Sequence, residues 1–166
     1  MVLDRQQLLS ELKKLILQQI EFVETLHSKP LELLNKRTKS DSWSVLECIE
    51  HLNLYAIFYN NEIEKKLLKA KNSDNQNFKP GFLGNKSALD MLPKKGMKTM
   101  NTFKSKNPIH SDLKKDDVLK KFTFYQHQFL QLLDKCSTKD LTKTKTALTL
   151  PLLKFRLGDT LRFVVY

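Results

Sequence analysis

With 166 residues, 40% of them hydrophobic and 28% charged, the chain is long enough to bury a core without disulfides or a structural metal, and one domain over 1–166 is the expectation. Its 29 Lys and Arg against 18 Asp and Glu give a net charge of +11, so an acidic partner such as nucleic acid has to be weighed, although charge alone identifies none. No apolar run approaches the roughly 18 residues of a membrane span, and the opening MVLDRQQLLSELKK becomes charged too early for a signal peptide, so a soluble cytoplasmic chain is expected.

From Leu3 to Leu26 the residues Leu8, Leu12, Leu15, Ile16, Val23 and Leu26 recur at helical spacing and predict a first helix. HSKP ends it, because Pro30 disfavours helical geometry at Lys29. In DSWSVLECIEHLNLYAIFY, Ser44 and Glu47 form a Ser-x-x-Glu capping box that opens a second helix over 45–70. Its stripe is Ile49, Leu52, Ala56, Tyr59, Ile63 and Leu67, and Trp43 outside the cap is expected to pack back against Leu46 or its neighbours.

Residues 71–109 then turn to Asn, Ser, Lys, Pro and Gly, with KPGFLG as a turn signal and NKSALDML as the one stretch suited to a short helix. Val118, Phe122, Tyr125, Phe129, Leu132 and Cys136 mark a third helix over 114–136, preceded by an expected N-cap at Ser111. STKDLTKTKTALTLPLLKF, Thr-rich and interrupted by Pro151, reads as an extended segment laid over the helices. LGDTLRFVVY resumes a helical pattern with Leu157, Leu161, Val164 and Val165 on one face but without a stop signal, and the expectation is that the natural chain continues beyond Tyr166.

These elements predict an all-α fold, a four-helix bundle with a long connection between its second and third helices, long enough that those helices need not be antiparallel neighbours. The two cysteines, Cys48 and Cys136, form no CxxC pattern and are expected to be small buried residues of a reduced protein.

The sequence carries no Gly-rich phosphate loop, no Gly-x-Ser-x-Gly elbow and no paired-cysteine zinc pattern, which leaves its four histidines as the place to look for chemistry. His51 lies two turns into the second helix, on the flank of the apolar stripe, with Glu47 at i−4 and Tyr55 at i+4. A neutral imidazole there suits a divalent metal in a bundle core; the alternative is a half-exposed histidine paired with Glu47. His27 suits the end of the first helix as a cation, while His110 and His127 carry no expected role, His127 facing solvent. A metal site with an open position needs about three protein ligands, and spacing supplies one.

WSVLECIEHL, with Trp43, Ser44, Glu47, His51 and Leu52, resembles the second-helix signature of the DinB-like superfamily, and LTLPLLKFRLGDTLRFVVY resembles the approach to that family's last helix, including Pro151, Leu157, Gly158 and Asp159. The resemblance covers essentially the whole chain. It implies a four-helix bundle of up-down-down-up topology, with His51 as the first ligand of a divalent metal, commonly zinc or nickel. The family's other two ligands are a His-x-x-x-His pair placed directly after the stretch that matches LRFVVY, and here nothing follows Tyr166. The implied activity is metal-dependent thiol transfer or hydrolysis on a small molecule, with a low-molecular-weight thiol as a possible substrate. The metal site is incomplete in this chain, and little tight metal binding is expected.

Two other readings stand beside the enzyme. Lys79, Lys86, Lys94, Lys95, Lys98, Lys104, Lys106, Lys114 and Lys115, with Phe78, Phe82 and Phe103 among them, could track phosphates and stack bases, although a solvated lysine-rich loop is the commoner cause of such a pattern. A non-catalytic oligomeric bundle is the third; an incomplete fourth helix leaves apolar surface on the other three, so a homodimer is expected over a monomer.

Overall fold

The computed structural model describes residues 1–95 and 101–166. These residues form six α-helices and two small antiparallel strand pairs, so the chain is mostly helical but not purely so.

Strand β1 (Leu3–Asp4) leads directly into α1 (Arg5–Leu26), where the Asp4 carboxylate caps the helix by accepting the Gln7 N–H at 2.7 Å. The predicted stripe of α1 is the buried one, with Leu9 added and Leu15 only half-buried. The break at Pro30 holds, but Pro30 also opens a one-turn helix, α2 (Leu31–Asn35), which brings Leu34 into the core. α3 (Val45–Leu67) begins with the predicted capping box and stops three residues before the predicted end at 70. The stripe differs at two positions: Leu52 is exposed and Ala56 only half-buried, while two amides, Asn53 and Asn60, are buried on the face toward the neighbouring helix.

The long connection is more structured than its composition suggests. Strand β2 (Asn77–Phe78) pairs antiparallel with β1, and α4 (Phe82–Met91) occupies the stretch where a short helix was expected. A single 3₁₀ turn follows at Lys104–Lys106. α5 (Lys115–Cys136) starts behind Lys114; Ser111 is not its cap, because the chain from 111 to 114 remains irregular. The extended segment after α5 is a hairpin of β3 (Lys145–Ala147) and β4 (Lys154–Arg156), turned at Pro151 and Leu152 and pairing Thr146 with Phe155. The Thr-rich alternation thereby has its cause: Thr146 points in and bonds the Thr160 hydroxyl at 2.6 Å, while Lys145 points out. α6 (Leu157–Val165) closes the core with Leu157, Leu161 and Val165.

Side-chain pairings fix how the long helices run. On α1 and α5, Lys13 meets Asp134 and Glu24 meets Thr123, so the two are antiparallel. On α3 and α5, Asn53 donates to the Val118 carbonyl and Asn60 to the Tyr125 carbonyl, both at 3.0 Å and both across a separation of 65 residues, so these two run parallel. One apolar cluster joins α1, α3, α5 and α6 around Leu12, Ile16, Tyr59, Ile63, Leu133 and Leu161; a second, at the α2 end, gathers Val23, Leu34, Leu46, Ile49, Leu119 and Phe122. Each fully buried leucine contributes about 1.5–3 kcal/mol, which is why helices of modest propensity hold here. Among the described residues no helix is long and apolar enough to cross a membrane.

Candidate functional site

His51 sits on α3 one turn beyond Glu47, half-buried, beneath the segment 101–113. Its Nδ1 lies 2.7 Å from the Lys106 carbonyl oxygen. A carbonyl can only accept, so Nδ1 carries the proton and, in the neutral ring, Nε2 carries the lone pair. Burial, together with the nearby Lys106 charge, pushes the imidazole below its ordinary 6.5 despite the opposing effect of the carbonyl bond, so the ring is neutral at pH 7.

Aromatic rings hold the imidazole on both sides. Trp43 tilts against it at 4.5 Å between centroids and Tyr55 meets it edge-on at 4.9 Å. The expected packing of Trp43 back onto the helix brings it against His51, and the Trp43 indole N–H donates to the Asn107 side chain at 3.0 Å, which orients the ring toward the 101–113 segment. The i, i+4, i+8 spacing of His51, Tyr55 and Tyr59 continues the contact down α3, and Tyr59 reaches Phe163 on α6 at 6.1 Å.

The 101–113 segment is pinned by three further bonds. Tyr55 and Thr102 share a hydroxyl bond at 3.2 Å. The Lys106 ammonium donates to the Leu54 carbonyl at 2.6 Å and lies over the Tyr55 ring. The His110 N–H donates to Glu47 at 2.6 Å.

Glu47 is the anchor of this arrangement. Only 2% exposed, it accepts a bidentate pair from Arg37, the Ser44 N–H at 2.8 Å that completes the capping box, and the His110 N–H. The Arg37 guanidinium, with the Ser44 and His110 amides, outweighs burial and holds the carboxyl down to about 2. Glu47 therefore pairs with Arg37, and the alternative of a His51–Glu47 pair does not occur. Beside it, Asn35, Arg37, Ser44, His110 and Asp112 line a polar cleft of about 340 Å³.

Of the other histidines, only His110 joins this site, and through its main-chain N–H. His27 caps α1 within 3.8 Å of Glu24 and 3.9 Å of Asp116. His127 faces solvent, and His110 is exposed with φ of 61°. Cys136 is buried, whereas Cys48, expected buried, is exposed because the 45–48–52 face of α3 carries no cover.

Much of the basic connection is used within the fold. Lys86 and Lys94 bracket Asp90, Lys106 is engaged as above, Lys115 donates to the carbonyls of His27 and Lys29, and Phe78 is buried. Lys98 lies outside the described residues.

Sequence reasoning marked Lys106 only as one lysine of the basic connection and did not mark Asn107 or Thr102, because Lys106 acts on His51 through a main-chain carbonyl and all three meet α3 or the Trp43 before it across 47 or more residues.

A sequence profile of the DinB superfamily matches residues 8–166, and the chain belongs to that family. Comparisons with curated proteins and with solved structures give no match. Among the described residues no three His, Cys, Asp or Glu side chains stand close enough to hold a metal ion. His51 has the form of a ligand, its second nitrogen fixed by a carbonyl, but alone it does not fit a resident metal, which asks for about three such groups.

Proposed function

We propose that the chain is a single DinB-type domain, its helices α1, α3, α5 and α6 arranged up, down, down and up, whose functional centre is His51 acting on a small molecule. The antiparallel α1–α5 and parallel α3–α5 pairings support that arrangement. The 2.7 Å bond from His51 Nδ1 to the Lys106 carbonyl carries the functional reading. It leaves at Nε2 a neutral base able to take a proton from a bound thiol or water, the first step that thiol transfer and hydrolysis have in common.

Zinc- or nickel-assisted chemistry, as the family resemblance implies, needs ligands beyond His51, so the reading rests on the imidazole itself.

The test combines nitrogen NMR of His51 with titration of a chromophoric aryl thiol, read as thiolate absorbance. The expected results are a protonated Nδ1, an unprotonated Nε2 at pH 7, and a protein-dependent thiolate signal lost in His51→Gln. An unchanged signal in that variant overturns the reading. A tight one-to-one zinc or nickel ion in wild type, lost in His51→Gln, would instead assign the chain to the metal-dependent class.

A further inference from the structure

We propose that a second site, at the opposite end of the helices from His51, binds a small oxyanion. The site is a cavity of about 380 Å³ between the start of α1, residues 73–79 and the turn at 140–143. Its place follows from the fold: Gln6 on α1 donates to the Ser137 carbonyl at the end of α5, which runs parallel to α3, whereas His51 lies near the beginning of α3.

Arg5 is the central observation. It is 4% exposed, yet among the described residues no carboxylate lies within ion-pair distance of it. Nη1 donates to the carbonyls of Ser73 at 2.8 Å and Lys139 at 3.1 Å, and Nη2 to the Gln76 side chain at 3.2 Å, all neutral acceptors. Nε has no protein acceptor among the described residues. A guanidinium has five N–H donors in a planar fork, so part of this buried fork is unmatched. A buried cation without a counter-charge is costly unless an anion joins it.

The surroundings add positive potential. Arg5 is the first residue of α1, where the Asp4 carboxylate is already engaged as the helix cap on the Gln7 N–H, so the excess positive charge of the cavity comes from side chains. Lys79 and Lys143 line the same cavity, and neither pairs with a carboxylate among the described residues. Asp140, the one acid of the lining, spends Oδ1 on the N–H groups of Thr142 at 3.0 Å and Lys143 at 2.9 Å. Phe78 and Leu141, both buried, form an apolar floor. Three cations, one engaged carboxylate and an apolar floor match a phosphoryl or carboxylate group on a compact molecule.

Amide NMR of the full chain at fixed ionic strength tests this, with inorganic phosphate in one arm and hexanoate in the other. The expected result is saturable movement of amides in 73–79 and 139–143, with those around His51 unmoved. Phosphate alone producing it identifies a phosphoryl ligand, hexanoate alone a carboxylate, and either supports the site. Lys79→Gln with Lys143→Gln should weaken binding about five- to ten-fold, as two rim charges would. Arg5→Lys, which keeps the charge but loses the fork, should weaken it further; should that variant fail to fold, the lysine pair decides. No saturable movement with either anion up to tens of millimolar, or undiminished affinity in the lysine variant, overturns the proposal.

Discussion

Replacing Glu47 by Gln removes the charge on which Arg37, Ser44 and His110 converge while keeping nearly the same shape. The folded protein holds this carboxyl at about 2, against an ordinary value of 4.5. That difference corresponds to about 3 kcal/mol in favour of the charged, folded form at neutral pH. The sign follows from proton counting: between the two values the unfolded chain binds more protons, so stability rises with pH. The contribution is complete above 4.5 and disappears as pH falls toward 2. For a chain of this size the loss in Glu47→Gln equals a drop in melting temperature of about 6–12 °C at pH 7. Urea unfolding of both proteins at pH 7, 5, 4 and 3 is the assay. A difference below about 1 kcal/mol at pH 7 would refute the reasoning, since charged hydrogen bonds alone exceed that. So would a difference that stays constant down to pH 3.

Gly158→Ala should destabilise by about 1–3 kcal/mol even though alanine is the better helix former, because a Cβ there lies 2.6 Å from the buried Phe78 ring; adding Phe78→Leu should recover part of the loss in thermal unfolding. A thiol-alkylating reagent should label Cys48 in the native protein and spare Cys136, whose thiol burial pushes up to about 12, until urea unfolds the chain; mass spectrometry of the digested protein reads the pattern. The thiol of the exposed Cys48 is held above its ordinary value by partial desolvation against the helix and by the Glu47 charge, so its labelling should accelerate as pH rises. Lowering the pH through the ordinary histidine value of 6.5 should cost stability through His51, because the unfolded imidazole takes up its proton first; His51→Gln should flatten that part of the stability profile.

The long helices were legible because their determinants are local. Apolar residues at three- and four-residue intervals, the Ser44–Glu47 box and the break at Pro30 act within a turn or two of chain. The errors occur where a distant segment decides. Leu52 fits the α3 stripe by spacing, yet the face toward α5 is satisfied by Asn53 and Asn60, whose amides bond helix carbonyls across 65 residues. Ser111 has the chemistry of an N-cap, but the neighbouring His110 amide is drawn to Glu47, and the helix starts four residues after Ser111. His51 stands out as a candidate from residue type and position. Its tautomer does not, because the group that sets it is a backbone carbonyl and any residue at 106 would supply one.

That dependence on main chain makes His51 sensitive to residues that do not touch it. Segment 101–113 is tied to α3 through Thr102, Lys106 and His110 and to Trp43 just before it through Asn107, so the Lys106 carbonyl is held from both sides. Two substitutions separate holding the carbonyl from supplying charge. Lys106→Met removes a cation that depresses the imidazole and, with it, the bond to Leu54, but leaves the Thr102, Asn107 and His110 bonds to hold the segment, so the His51 titration should move upward while Nδ1 remains the protonated nitrogen. Glu47→Gln leaves the cation but reduces two charged acceptor oxygens to one neutral one for which Arg37, Ser44 and the His110 amide compete, so the hold on the segment should weaken, the carbonyl bond should loosen and the population with protonated Nε2 should grow. Nitrogen NMR reads both effects. Were the two variants to shift His51 alike, the 101–113 segment would act on the ring through charge alone, and the bond at Lys106 would lose its place in setting the free base.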